Sequence, residues 1–399
     1  MNGESIKYSL RNLNHRKGRS FLTIFSIMVG IATIFIFISF GYGLYDYTES
    51  FTTSSSVDKV MIMAKGTGAP GMDETFVIDD DDLRVIERAA GVYEASGVYY
   101  DVVSVESKNE NKFVFLVSYD PKVPLVMDIF QVGVENGRIL RSGDKGVVLG
   151  YNYLLDNKIF EKGLEINDVI KINDESFKIL GFLESIGNPS DDSQIYVTND
   201  LFLDIFPDKE TYAEIVARVD VDNLDVAINN IERGLRKHRD LEEGKEDFFV
   251  QSFEDMIESF SGAINVIIGF VILIALISVL VSAINTANTM ITSVLERYKE
   301  IGILKAIGAR NSEIFNIFLF ESAFLGVVAG GLGVLVGLGI TSLAGNILES
   351  LGWGFLAPYY SFWLFMGLIL FAGITGAISG VIPAIRASKT NVVDALRYE

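Results

Sequence analysis

Residues 296–310, ERYKEIGILKAIGAR, hold the densest set of side chains able to engage another macromolecule. Glu296 and Glu300 stand four apart with Arg297 and Lys299 between them, and Lys305 and Arg310 follow. Ile301, Leu304 and Ile307 recur at helical spacing, so the segment reads as a short amphipathic helix with charges of both signs above an apolar underside. Such a surface offers ion pairing and packing, not bond making. Gly308 is placed to take the left-handed conformation that closes a helix, and Ser312 to cap the next one.

Bond-making constellations are missing from the sequence. There is no G-x-x-x-x-G-K-S/T loop to cradle nucleotide phosphates, and no G-x-S-x-G or H-E-x-x-H pattern to supply a nucleophile or a zinc pair. The two histidines, His15 and His238, fall on opposite sides of the membrane in the topology argued below and cannot share a metal. No catalytic residue, cofactor or metal is expected, and any ATPase activity belongs to another polypeptide. Asp79, Asp80, Asp81 and Asp82 precede LRVIERAAG without the ligand spacing of a calcium loop. Acids gather at a helix N-terminus because its free amides and partial positive charge favour them, so these four are expected to cap a helix.

The elements around the 296–310 segment are set by hydropathy. With 49% hydrophobic residues in 399, the chain is too apolar for a soluble protein and long enough for several domains. Residues 259–295 contain no charge; as a helix they would reach about 55 Å at about 1.5 Å per residue. A hydrocarbon core of about 30 Å is shorter than that, so part of the helix must project as a stalk. Spans are expected at 21–47, 259–295, 313–346 and 361–383, with an outer loop at 347–360. The third carries Gly326, Gly330, Gly333 and Gly337 as small faces for close helix packing, and Glu321 as an acid that must face protein or snorkel to the boundary.

Charge orients these spans. Residues 44–260 carry 21 Lys/Arg against 44 Asp/Glu, while the remainder carries 12 against 8. Those 12 cations cluster in 1–20, 296–310 and 386–397, which under the positive-inside rule places both termini and the 296–312 segment in the cytoplasm of a multi-pass cell-membrane protein. Residues 1–20 read as an interfacial amphipathic helix in contact with lipid, and 384–399 as a cytoplasmic tail. The acidic block, 48–258, alternates in short strand-like runs and has no cysteine, so its stability must come from packing. Two strand–helix–strand units there bracket a β insertion, which gives an α/β lobe at about 48–90 and 190–255 and a β-rich lobe at about 91–189. The fold class is an α-helical membrane protein of four transmembrane helices, with a two-lobed α+β extracytoplasmic domain inserted between the first and second.

NTANTMITSVLERYKEIGILKAIGARNSEIFNIFLFES resembles the second cytoplasmic-side segment of the MacB/FtsX/LolC-type ABC transporter permeases. KYSLRNLNHRKGRSFLTIFSI and PAIRASKTNVVDALRYE are similar to that family's two ends, and GRILRSGDKGVVLGYNYLLDNKIFEKGLEINDVIKINDESFKILGFLES to the β-rich part of its ectodomains. The resemblance implies that 296–312 is a coupling helix gripped by a cytoplasmic ABC ATPase, with contacts from Glu296, Arg297, Lys299, Glu300, Lys305 and Arg310, and with Ile301, Leu304 and Ile307 packing underneath. It further implies a dimer with a second permease copy or a paralogue, and mechanotransmission to an extracytoplasmic client of unknown identity. No nucleic-acid partner is expected. The alternative is a membrane-anchored receptor or scaffold that does no ATP-driven work.

Overall fold

The structure is a computed structural model that describes residues 17–50, 56–65, 77–108 and 110–397. The interfacial helix expected at 1–20 lies outside the described residues except for its last four positions. In chain order the elements are α1 (Lys17–Ser50), β1 (Lys59–Ala64), α2 (Asp80–Glu87), β2 (Val92–Val98), β3 (Tyr100–Ser107), β4 (Glu110–Tyr119) and α3 (Leu125–Phe130). There follow β5 (Val134–Gly137), β6 (Val147–Leu149), β7 (Val169–Ile172), β8 (Glu175–Leu183), β9 (Ile195–Thr198), α4 (Asn199–Ile205), β10 (Glu214–Val219), α5 (Leu224–His238) and β11 (Phe248–Ser252). The chain ends in α6 (Phe253–Glu296), α7 (Tyr298–Ala306), α8 (Asn311–Ser350), α9 (Phe362–Ser388) and α10 (Val392–Arg397).

Two compact units result, one formed by residues 1–44, 263–347 and 356–399, the other by 45–262 and 348–355. In the first, α1, α6, α8 and α9 are each long and apolar enough to cross a membrane. Ile27, Ile31 and Phe35 of α1 pack with Ala275 and Val279 of α6 and Ala329 and Val334 of α8. Ser26 and Ser282 share a hydrogen bond of 2.6 Å between α1 and α6, so a hydroxyl on each helix is satisfied where no water would reach it. α6 holds 44 residues, about 66 Å of helix.

The second unit contains two sheets. The four-stranded sheet has the order β11-β1-β10-β2, all antiparallel, and its two strand–helix–strand crossovers give a ferredoxin-like pattern. Val60, Ile62, Ile215 and Ala217 point from β1 and β10 to one face, where they join Ile86 of α2 and Ile231 and Leu235 of α5 in the core. Met61, Val98 and Val216 point to the other face and meet Leu125, Val126 and Ile129 of α3 and Phe253. The second sheet, β5-β8-β6-β9-β4-β3-β7, closes on itself because β7 pairs with both β3 and β8. Closure pairs β7 on both sides and leaves β5, which pairs with β8 alone, at an edge.

The lobes part between Val98 and Tyr100, not near 90, because β2 pairs along its length with β10. On the return path β9 and α4 stay with the barrel, since β9 is flanked by β4 and β6, so the second crossing falls after Ile205 and not near 190. Asp79 and Asp82 cap α2, with Asp80 and Asp81 beside them in its first turn: the Asp79 carboxylate accepts from the Asp81 and Asp82 amides, and Asp82 accepts from the Asp79 amide at 3.1 Å. Arg239 pairs with Asp82 and with Asp247, tying that cap to the far end of α5.

Candidate functional site

α6 ends where the Arg297 backbone turns, its amide still donating to the Ser293 and Val294 carbonyls at 3.2 Å. α7 then runs for nine residues and stops at Gly308, whose φ of +108° suits a residue without a β-carbon. The Gly308 and Ala309 amides donate to the Lys305 and Leu304 carbonyls at 3.1 and 3.0 Å, closing the helix in the manner of a Schellman turn. The start of α8 is capped by Glu313, which accepts from the Arg310 amide at 2.9 Å. Ser312, expected as that cap, lies inside the first turn because Glu313 stands three residues beyond Arg310.

The underside of α7 is fixed by three kinds of contact. Ile301 is buried and Leu304 partly so, in a cluster with Met290, Val294, Ile314, Phe318, Ala384 and Ala387. Gly302 lets α10 approach, for a β-carbon there would come within 2.6 Å of the Ala395 β-carbon. The Lys305 ammonium donates to the Ser388 and Thr390 carbonyls at 2.9 and 2.7 Å, satisfying acceptors at the end of α9. Arg297 is buried: its guanidinium donates to Glu321 of α8 at 3.2 Å, lies 3.4 Å from Glu300 and sits over the Phe318 ring at 5.1 Å.

Three expectations about side chains are corrected here. Arg297 and Lys305 do not present their charges outward, since each serves an acceptor on a neighbouring helix. Ile307 does not pack underneath and is 78% exposed. The outward face is instead Lys299, Glu300, Ile303 and Ile307, with Glu296 and Arg310 exposed at its two ends. Ile303, 48% exposed, was not singled out in the sequence, although its spacing of four from both Lys299 and Ile307 puts it on their face. Glu321 resolves into the buried partner of Arg297, facing protein and not the boundary.

The glycines of α8 serve two neighbours in turn. A β-carbon on Gly326 would meet the Ala372 carbonyl oxygen at 2.3 Å, and one on Gly330 the Ala372 β-carbon at 2.7 Å, so this pair faces α9. One on Gly333 would meet the Met28 carbonyl oxygen at 2.9 Å, and one on Gly337 the Phe35 ring at 2.7 Å, so that pair faces α1. Among the described residues no cluster of three or more His, Cys, Asp or Glu side chains could hold a metal. The arrangement leaves an exposed apolar pair, Ile303 and Ile307, beside charges on a helix whose other face is packed.

Two family models match the chain: a MacB-like periplasmic core domain over residues 20–233 and an FtsX-like permease C-terminal domain over 272–392. An uncharacterized ABC transporter permease of Methanocaldococcus jannaschii, MJ1507, is 31% identical over 398 residues, covering 99% of this chain and 98% of its own length. The ABC transporter permease YtrF of Bacillus subtilis is 25% identical over 459 residues, with 99% of each chain covered. The macrolide export ATP-binding/permease protein MacB of Wolinella succinogenes is 25% identical over 409 residues, and the match spans 61% of that protein. Among solved structures, the periplasmic region of MacB from Actinobacillus actinomycetemcomitans aligns with a TM-score of 0.42 at 14% identity, over 53% of this chain and 97% of that one.

Proposed function

The chain belongs to the MacB- and FtsX-type ABC transporter permeases, and on that premise we propose that α7 is the docking element through which a separate cytoplasmic ATPase drives it. The observation that carries this reading is the pair Ile303 and Ile307, two exposed apolar side chains on a nine-residue helix whose opposite face is locked to α8, α9 and α10. Exposed isoleucines flanked by Lys299 and Glu300 are what a partner's groove fills, with the charges setting register. A clamped helix passes a push to its neighbours and does not absorb it.

MJ1507 and YtrF, matched over nearly their whole length, are named permeases, whereas the MacB relatives are named ATP-binding/permease proteins, which supports a permease subunit served by an ATPase on another polypeptide. α6, continuous from β11 to the turn before α7, supports mechanotransmission to the extracytoplasmic domain. Its exposed Ile267, Phe270, Ile274, Ile277 and Val281 are available to lipid and to a second permease copy. The clustering of cations at 1–20, 296–310 and 386–397 supports cytoplasmic termini.

Purification of the tagged chain from its native membranes tests the reading. Co-purifying ATPase activity that disappears in Ile303→Glu and Ile307→Glu supports it. A complex without ATPase, or one indifferent to both variants, points to the receptor or scaffold alternative.

A further inference from the structure

A cavity of about 400 Å³ lies between the four-stranded sheet and the barrel, within the size range of small-molecule sites. Its apolar wall includes Tyr100, Phe115, Met127 and Tyr196, with Tyr100 and Phe115 stacked at 4.9 Å. Two carboxylates line it, Asp191 and Glu214, and no Lys, Arg or His does. Asp191 accepts from Asn188 Nδ2 at 2.9 Å and from Gln194 Nε2 at 3.0 Å, and Gln194 in turn accepts from the Tyr196 hydroxyl at 3.1 Å.

Glu214 is different. It opens the central strand β10, whose backbone is paired on both sides, and its carboxylate accepts no hydrogen bond among the described residues. Desolvation by the surrounding walls pushes this carboxyl up to about 7, although the residue keeps part of its surface open to the cavity. Asp191 and Glu214 line the same cavity as Tyr100, whose phenol burial and these two acids raise to about 12. A carboxylate beside aromatic and apolar walls, with no protein donor, gives up part of its hydration there at a cost in free energy. A ligand that brings its own positive charge offsets that cost, and the aromatic faces around the space favour the same charge.

We propose that this cavity binds a small amphipathic monocation, an alkyl- or arylammonium whose nitrogen meets Glu214 and whose apolar body lies against Tyr100, Phe115 and Tyr196. An anion is repelled by two carboxylates, and a neutral apolar molecule fills the space but leaves Glu214 unserved. The site lies in the extracytoplasmic domain and does not depend on the docking role of α7.

The test uses the full-length chain in nanodiscs and three probes of similar shape: phenethylammonium, phenethyl alcohol and 3-phenylpropionate, titrated by calorimetry at pH 8. Saturable binding of the ammonium, with the alcohol weaker by about tenfold or more and the carboxylate not bound, supports the site. Glu214→Gln should weaken the ammonium by about tenfold or more, and Met127→Trp, which fills the cavity, should abolish its binding. The two variants act through different means, so a misfolded one leaves the other as the arbiter. Equal binding of alcohol and ammonium, binding unchanged by both variants, or no saturable binding overturns the proposal.

Discussion

The Arg297 guanidinium and the Glu321 carboxylate meet at 3.2 Å with both side chains buried, one from the turn between α6 and α7 and the other from α8. Removing one member of such a pair leaves a charge in a site built for two, at a cost of about 3–5 kcal/mol, whereas replacing both with apolar residues is often neutral. Arg297→Met should therefore lower the unfolding temperature in detergent sharply. Glu321→Leu should lower it less, because Glu300 is a second carboxylate for Arg297 at 3.4 Å. The double variant Arg297→Met with Glu321→Leu should recover most of the loss, and a double variant no better than Arg297→Met alone would contradict a pairwise account.

The glycines of α8 should separate into two classes. Gly326→Ala puts a β-carbon against a backbone carbonyl of α9 and should reduce the yield of monodisperse protein and its unfolding temperature. Gly331 and Gly339 have no neighbouring atom within 4 Å of a β-carbon, so alanine there should be neutral or stabilise by about 0.5–1 kcal/mol through better helix propensity. Size-exclusion profiles and melting curves of the three variants decide it.

On α7, Ile307→Glu and Ile303→Glu should each cut the amount of ATPase recovered with the permease by about 30-fold, the size of a 2 kcal/mol hot spot. Because both residues are exposed, melting temperatures should stay within about 1 °C of the unmodified protein. A loss of stability comparable to that of Arg297→Met would show that they pack inside this chain and not against a partner.

Glu214 makes stability depend on pH in a defined direction. Its carboxyl is raised from 4.5 to about 7 in the folded chain, so the folded state holds the proton more tightly than the unfolded one. The stability this contributes is complete below about pH 4.5 and is lost as pH rises through 7. Glu214→Gln mimics the protonated form and should be more stable than the parent at pH 8, by up to about 3 kcal/mol, with the difference vanishing at pH 4. Paired melting curves at the two pH values measure it, and a difference of the same size at both would rule out titration as its cause.

Much of this molecule is legible along the chain. The uncharged run behind α6, the glycine-rich third span and the clustered cations are local properties, and they led to four apolar helices around an α+β insertion. The aspartates at the start of α2 were legible for the same reason, since a cap is made within a few residues of itself. The lobe boundaries were not, because whether β2 joins β10 or the barrel depends on a partner more than a hundred residues away. The cavity beside Glu214 was hidden too, as its walls come from segments spread between Val98 and Glu214.

The 296–310 segment shows the division most clearly. Composition and periodicity determined that a short charged helix lies there between two spans, because helix propensity and amphipathic spacing act over a few neighbouring residues. Only the tertiary structure decided that Arg297 and Lys305 turn inward while Ile303 and Ile307 remain outside. Burial is a property of two surfaces at once: Glu321 and the end of α9 provide the acceptors that draw those cations in, and both arrive from parts of the chain that the segment itself does not contain.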